Sequence, residues 1–278
     1  MMVLPGGART PRDVFIFAGQ SNMAGADAVI PDPPGFVATE ADRRTLFAAA
    51  PVPAGADSPD YYPWGELKGH RSTNPRYGDK PVHGPEVGFA RRLDEGGVKN
   101  IAIVAAWSNF TREVEKWPWR EDGEINKVWL SFVDARLAEL RERGFEPRVR
   151  GFVWHQGIDD AIHGKLAPHY QENLTALIGY LRRRYHAENA PFLLARSVNS
   201  PIAQRVTGAG PEKPMGLVRQ AQVAVGETVT NAAWINVDDL PNVVQHHFSA
   251  DSQLVIGRRF GDAYLRLAVP AKKSAQDK

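Results

Sequence analysis

No cysteine occurs among the 278 residues, which excludes disulfide bridges, thiolate metal sites and a cysteine nucleophile. A dominant charge is missing too. The 34 Lys and Arg are set against 32 Asp and Glu, a net +2, which gives no reason to expect nucleic acid or an anionic membrane as partner. The basic clusters at 141–150 and 182–184 read as solvated faces. No apolar run approaches the ~18 residues of a membrane span, and the start, Met1-Met2-Val3-Leu4-Pro5-Gly6-Gly7, lacks a basic region followed by an apolar core. The expectation is a soluble chain of open compartment, secreted or periplasmic if a signal sequence has been removed. The eight histidines are scattered, without the His-Glu-x-x-His spacing of a metal helix. Neither metal nor cofactor is expected, and repeats are absent.

What the chain does have is alternation. Strand-like segments at 13–18, 100–107, 149–155, 191–198 and 232–237 are separated by helical patterns at 85–94, 126–143, 167–185, 217–225 and 249–267. That order predicts an α/β fold, a single doubly wound three-layer domain with a central parallel sheet. The domain is expected over 13–267, after an N-terminal extension, 1–12, and before a polar tail, 268–278. Residues 26–81 read as one long irregular stretch rich in Pro, Gly, Asp and Tyr, of the kind that is usually functional or disordered. Its Tyr61, Tyr62 and Trp64, with Trp117 and Trp119 further on, either stack on sugar rings or pin loops to the domain.

The first strand, Val14-Phe15-Ile16-Phe17-Ala18, stops at Gly19 and delivers Ser21 two residues later. In an open α/β sheet, ligands sit beyond the carboxyl ends of the strands, where Ser21 would project. The hydroxyl is then either a nucleophile or an ordinary helix N-cap. Near the other end, His246-His247-Phe248 precedes the last helical pattern. A neutral imidazole within reach of a serine supplies the base that a hydroxyl nucleophile needs. Alternatively both histidines are plain loop residues.

Four blocks in order carry a family resemblance: Gly19-Gln20-Ser21-Asn22-Met23; Gly84-Pro85-Glu86; Trp154-His155-Gln156-Gly157; and the late His-Phe before Gly257-Arg258-Arg259-Phe260. Together they resemble the SGNH hydrolases, whose sheet is flavodoxin-like, and within them the sialate O-acetylesterase and acetylxylan esterase branch, carbohydrate esterase family six. The resemblance implies Ser21 as nucleophile and His247 as general base. It also implies the backbone N–H groups of Ser21 and Gly84 and the Gln156 amide as oxyanion donors. Gln20, Asn22, His83, Glu86, Asp160 and His246 would contact substrate. The reaction implied is removal of O-acetyl groups from a carbohydrate through an acyl-enzyme. Alternatives are hydrolysis of another short ester, lipid or thioester on the same fold, and a non-catalytic carbohydrate-binding descendant.

The chain departs from the family pattern in three places. The family carries Asp three residues before the catalytic His, and here Val244 stands there. The carboxylate then comes from elsewhere, with Asp239 and Asp238 the nearest upstream candidates, or a Ser-His pair works alone. Ile158 replaces a Glu in Gln156-Gly157-Ile158-Asp159-Asp160, where Asp160 either orders the site or caps the next helix. Trp107-Ser108-Asn109-Phe110-Thr111 replaces a Gly-Gly-Thr stretch.

Overall fold

In the computed structural model, residues 8–51, 61–72, 75–108 and 124–268 are described. The apolar segment before Ser21 becomes β1 (Thr10–Gly19), and its successive side chains go to opposite faces, as the pleat requires. Val14, Ile16 and Ala18 enter one buried layer, Phe15 and Phe17 the other. A strand buried on both faces reads as a continuous apolar run, which is why it stands out in the sequence.

Along the chain follow α1 (Ser21–Ala24), α2 (Glu40–Arg44), β2 (Leu46–Pro51), β3 (Tyr62–Glu66), β4 (His70–Arg71), β5 (Pro81–Val82), α3 (Glu86–Glu95) and β6 (Ala102–Trp107). Then come α4 (Glu124–Glu142), β7 (Phe145–His155), α5 (Ile158–Ile162), α6 (Tyr170–Arg184), β8 (Phe192–Ala195), α7 (Pro201–Thr207), α8 (Pro214–Thr228) and β9 (Ala232–Ile235). The hairpin β10 (Asn242–Val244) and β11 (His247–Phe248) leads into α9 (Ala250–Ala268). Seven strands form one sheet in the order β3-β2-β6-β1-β7-β8-β9. β3 runs antiparallel to β2 at one edge, and the other neighbouring pairs are parallel. The expected parallel sheet is therefore mixed at that edge.

Helices α4, α6 and α8 supply the buried layer on one face, with Val133, Leu174 and Val218 among its members. Helices α3 and α9 supply the other, where Phe89 and Tyr264 meet Phe15 edge-on at 5.0 and 4.9 Å. These two helices cross backbone to backbone. A Cβ on Gly88 would lie 2.1 Å from the Leu254 carbonyl oxygen, and one on Gly257 the same distance from that of Pro85. Gly257→Val is expected to cost about 3 kcal/mol of stability through overpacking, read as a lower denaturant midpoint with unchanged slope.

The stretch 26–81, expected to be irregular, contains α2, β2 and β3 of the main fold. Strand β2, Leu46-Phe47-Ala48-Ala49-Ala50-Pro51, escapes a pattern search because alanine has little strand preference and Pro ends the run. Its alanines fit because the strand lies wholly inside the sheet, next to β6. Thr10, Pro11 and Arg12 of the expected N-terminal extension are paired with β7 as part of β1. Among the described residues no helix is long and apolar enough to cross a membrane.

Candidate active site

Strand β1 is the middle strand of the seven, with β6 on one side and β7 on the other. Its last residue, Gly19, stands opposite Trp107 of β6 and His155 of β7. A Cβ on Gly19 would lie 2.4 Å from the His155 carbonyl oxygen, so glycine is needed there for close approach. Gln20 remains extended, and Ser21 opens the single turn of α1. As its first residue, Ser21 has a backbone N–H with no acceptor inside the helix. The turn ends at Gly25, in the left-handed conformation at φ 64°. A side chain at Gly25 would also strike the His83 carbonyl at 2.1 Å. The reversal at Gly25 carries the chain back beneath the serine and brings Asp27 inward.

His247 closes the arrangement. Its Nε2 is 2.8 Å from Ser21 Oγ, and its Nδ1 is hydrogen-bonded to Asp27 Oδ2. The carboxylate can only accept, so Nδ1 carries the proton and Nε2 presents its lone pair to the hydroxyl. The Asp27 side chain is 2% exposed and that of His247 20%, so the pair runs from a buried charge to a solvent-facing base. An imidazole so placed can take the serine proton and hold the resulting positive charge against a fixed carboxylate.

The carboxylate bonded to His247 is therefore six residues beyond the serine and not upstream of the histidine. Asp239 is turned outward, in a two-pronged ion pair with Arg259 at 2.7 and 2.6 Å. Asp238 is bonded to Arg219 and Arg196. Neither is the hydrogen-bond partner of His247, because an arginine of α8, β8's following loop or α9 has claimed each. Val244, at the place where the family carries Asp, pairs with His247 across the β10–β11 hairpin.

Of the three oxyanion donors the resemblance implied, the Ser21 N–H is the first of α1 and has no acceptor within it. The Gly84 N–H instead donates to Glu86 Oε1 at 2.9 Å. Gln156 gives one amide N–H to Asp160 and receives the Tyr170 hydroxyl on its amide oxygen at 3.1 Å.

The six residues expected to contact substrate are all at most 9% exposed. They form the frame that holds the site. Gln20 Oε1 accepts the N–H groups of Gly157 and Ile158 at 2.8 and 3.2 Å, and its amide nitrogen donates to Asp159. It thereby ties the serine turn to the β7–α5 loop. Asn22 Nδ2 donates to the His246 carbonyl at 3.0 Å, and the Asn22 carbonyl accepts from Gln253 at 2.8 Å, which ties the same turn to the histidine loop. Asp160 lies within α5 and not at its cap, where Gly157 stands; its carboxylate steadies Gln156. His83 Nδ1 bonds the Gly84 carbonyl at 2.8 Å, and His246 Nδ1 the Ser200 hydroxyl at 3.2 Å. Buried polar side chains must find partners, and these find them in backbone groups or in neighbouring polar side chains.

Two neighbouring histidines are kept out of the proton chemistry. Burial, and secondarily the nearness of His247, pushes His155 down to about 3 and His246 to about 4. Both stay neutral at working pH, so the imidazolium can form on His247 without a second positive ring beside it.

The aromatic residues of the 61–64 stretch hold the edge of the sheet. Trp64 Nε1 donates to the Arg136 carbonyl at 3.0 Å, Tyr61 meets Phe132 edge-on at 6.1 Å, and the Tyr62 hydroxyl receives the Arg71 N–H. Trp117, Trp119 and residues 109–111 lie outside the described residues. Trp107, from the departing third block, stacks on His70 at 4.9 Å. Among the described residues, no three His, Asp or Glu side chains are grouped so as to hold a metal ion.

Comparison with known proteins agrees with this architecture. The family model described as carbohydrate esterase, sialic acid-specific acetylesterase, matches residues 11–266. A probable carbohydrate esterase of Arabidopsis thaliana is 25% identical over 264 residues, 92% of this chain and 91% of that protein. Among solved structures, a carbohydrate acetylesterase of Xanthomonas citri superposes with a TM-score of 0.64 at 19% identity, covering 92% of this chain and 56% of that one. NanS superposes with a TM-score of 0.63 at 18% identity, covering 93% and 98%.

Proposed function

The chain belongs to the sialic acid-specific acetylesterase family of carbohydrate esterases, and from that membership we propose that it is a serine esterase removing O-acetyl groups from a carbohydrate, an acetylated polysaccharide or a sialic acid. The observation that carries this reading is the continuous hydrogen-bonded series Ser21, His247, Asp27. His247 Nε2 takes the Ser21 proton as Oγ attacks the acetyl carbonyl carbon. The tetrahedral oxyanion forms beside the Ser21 N–H. On collapse the C–O bond to the sugar breaks, and the sugar oxygen leaves with the proton from the imidazolium. Water, deprotonated by His247, then attacks the acetyl-serine; acetate departs and Ser21 Oγ recovers its proton. Asp27 keeps the imidazole in the right tautomer throughout.

The binding-only reading draws its force from Val244 at the family's Asp position, and Asp27 at His247 removes that motive. Hydrolysis of a longer acyl chain remains the rival to be tested. With p-nitrophenyl acetate, butyrate and octanoate, kcat/KM is expected to be highest for acetate, with free acetate released from an acetylated xylan or an O-acetylated sialic acid. A preference above butyryl would replace this reading with a lipid or thioester hydrolase. Sugar binding without turnover would replace it with a binding protein.

A further inference from the structure

Beside the serine turn lies a buried group of titratable residues that the reaction above does not use. The His83–Gly84 segment is pressed against α1. A Cβ on Gly84 would be 2.2 Å from the Met23 carbonyl oxygen, two residues beyond Ser21. Both peptides around Gly84 are pinned by nearby side chains, the N–H by Glu86 Oε1 at the start of α3 at 2.9 Å and the carbonyl by His83 Nδ1 at 2.8 Å. The Glu86 side chain is 1% exposed, and His70 Nε2, equally buried, lies 3.8 Å from its Oε1. His70 Nδ1 bonds the Arg71 carbonyl at 3.2 Å. That ring nitrogen must therefore carry the proton, and Nε2 turns a lone pair toward Glu86.

This geometry suits a neutral carboxyl better than a carboxylate. Among the described residues an ionised Glu86 would face a lone pair at 3.8 Å and no cation, whereas a protonated one can turn its O–H toward His70 Nε2, a buried nitrogen with no hydrogen-bond partner of its own. Burial pushes Glu86 up to about 7, its hydrogen bonds from the backbone working the other way. It pushes His70 down to about 4 and lowers His83 as well. The charged groups that bear on this cluster do so through His83: Arg91 and Asp42, joined to each other at 2.8 Å, and Asp251 at the start of α9.

An N–H has one hydrogen. A carboxylate holds it in a charge-assisted bond about twice as strong as a neutral carbonyl would, whereas a carboxylic acid competes weakly. We propose that Glu86 is a positioning residue for ester hydrolysis: its carboxyl group, bonded to the Gly84 N–H and facing His70 Nε2, releases the Gly84 N–H to the acyl oxygen when protonated and withholds it when ionised. The inference rests on the esterase reading. It makes the second oxyanion donor conditional on a proton.

Glu86 must be protonated to free Gly84, which sets an alkaline limb. Outright loss of an oxyanion donor costs ~10²-fold or more, so kcat of the wild type is expected to fall by about tenfold or more toward alkaline pH. In Glu86→Gln, whose amide cannot ionise, that decline should be missing. Infrared difference spectra, wild type minus Glu86→Gln, should show a carboxylic acid band that vanishes over the same pH range as the activity. Superimposable pH profiles for the two proteins, with turnover in both, would overturn this proposal alone. So would the absence of the acid band at the activity optimum. Lack of turnover in both at every pH would overturn the esterase reading and this proposal with it.

Discussion

Ser21→Ala is expected to lower turnover of p-nitrophenyl acetate by about 10⁶-fold, as removal of a serine nucleophile does in an enzyme whose residues act as a unit. His247→Ala should cost nearly as much. The double variant should be no worse than either single one, because once the proton cannot move from Oγ to Nε2 the second loss has nothing left to remove. The measurement is single-turnover acylation together with steady-state kcat, with folding checked by circular dichroism. Neither side chain carries the fold. Ser21 is half-buried at the start of a helix of one turn, and His247 belongs to a two-residue strand. Additive losses, or substantial turnover in Ser21→Ala, would show that the hydroxyl does not attack.

Asp27→Asn should lower kcat by about 10⁴-fold while leaving the fold intact, the cost known for a triad in which an amide forces the wrong imidazole tautomer. An Asn amide at this place can donate to Nδ1, which moves the ring proton to Nε2 and leaves no lone pair facing Ser21 Oγ. Asp239→Asn, by contrast, breaks an exposed ion pair with Arg259 and should leave kcat/KM unchanged. The paired comparison separates the two carboxylates in one assay. Equal effects, or loss in Asp239→Asn alone, would return the orienting role to the residues upstream of His247.

The frame of the fold was legible because it depends on local periodicity. The continuous apolar run of β1 announces itself over the five residues 14–18, and the helical stripe of α4 and the final helix α9 over nineteen residues each. Strand β2 did not, since three of its six residues are alanine and its strand character comes from being enclosed by β3 and β6. Ser21 and His247 were legible as chemistry at two landmarks, the end of the first strand and the start of the last helix. The frame residues were legible as positions but not as roles. Gln20, Asn22, Asp160 and His246 could have pointed to solvent or inward, and only the packed chain shows that the first two meet backbone groups and the last two the side chains of Gln156 and Ser200.

By itself the sequence determined a doubly wound α/β domain with a hydroxyl at the carboxyl end of its first strand and an imidazole before its last helix. Tertiary structure alone decided which carboxylate faces that imidazole and which N–H groups remain for an oxyanion. Asp27 and His247 are 220 positions apart, and Gly84 and Met23 meet through backbone contact alone. Periodicity and composition report on a chain's own neighbours. The choice between Asp27 and Asp239 was made by a left-handed turn at Gly25 and by an arginine on α9, neither of which leaves a trace in the residues around the histidine.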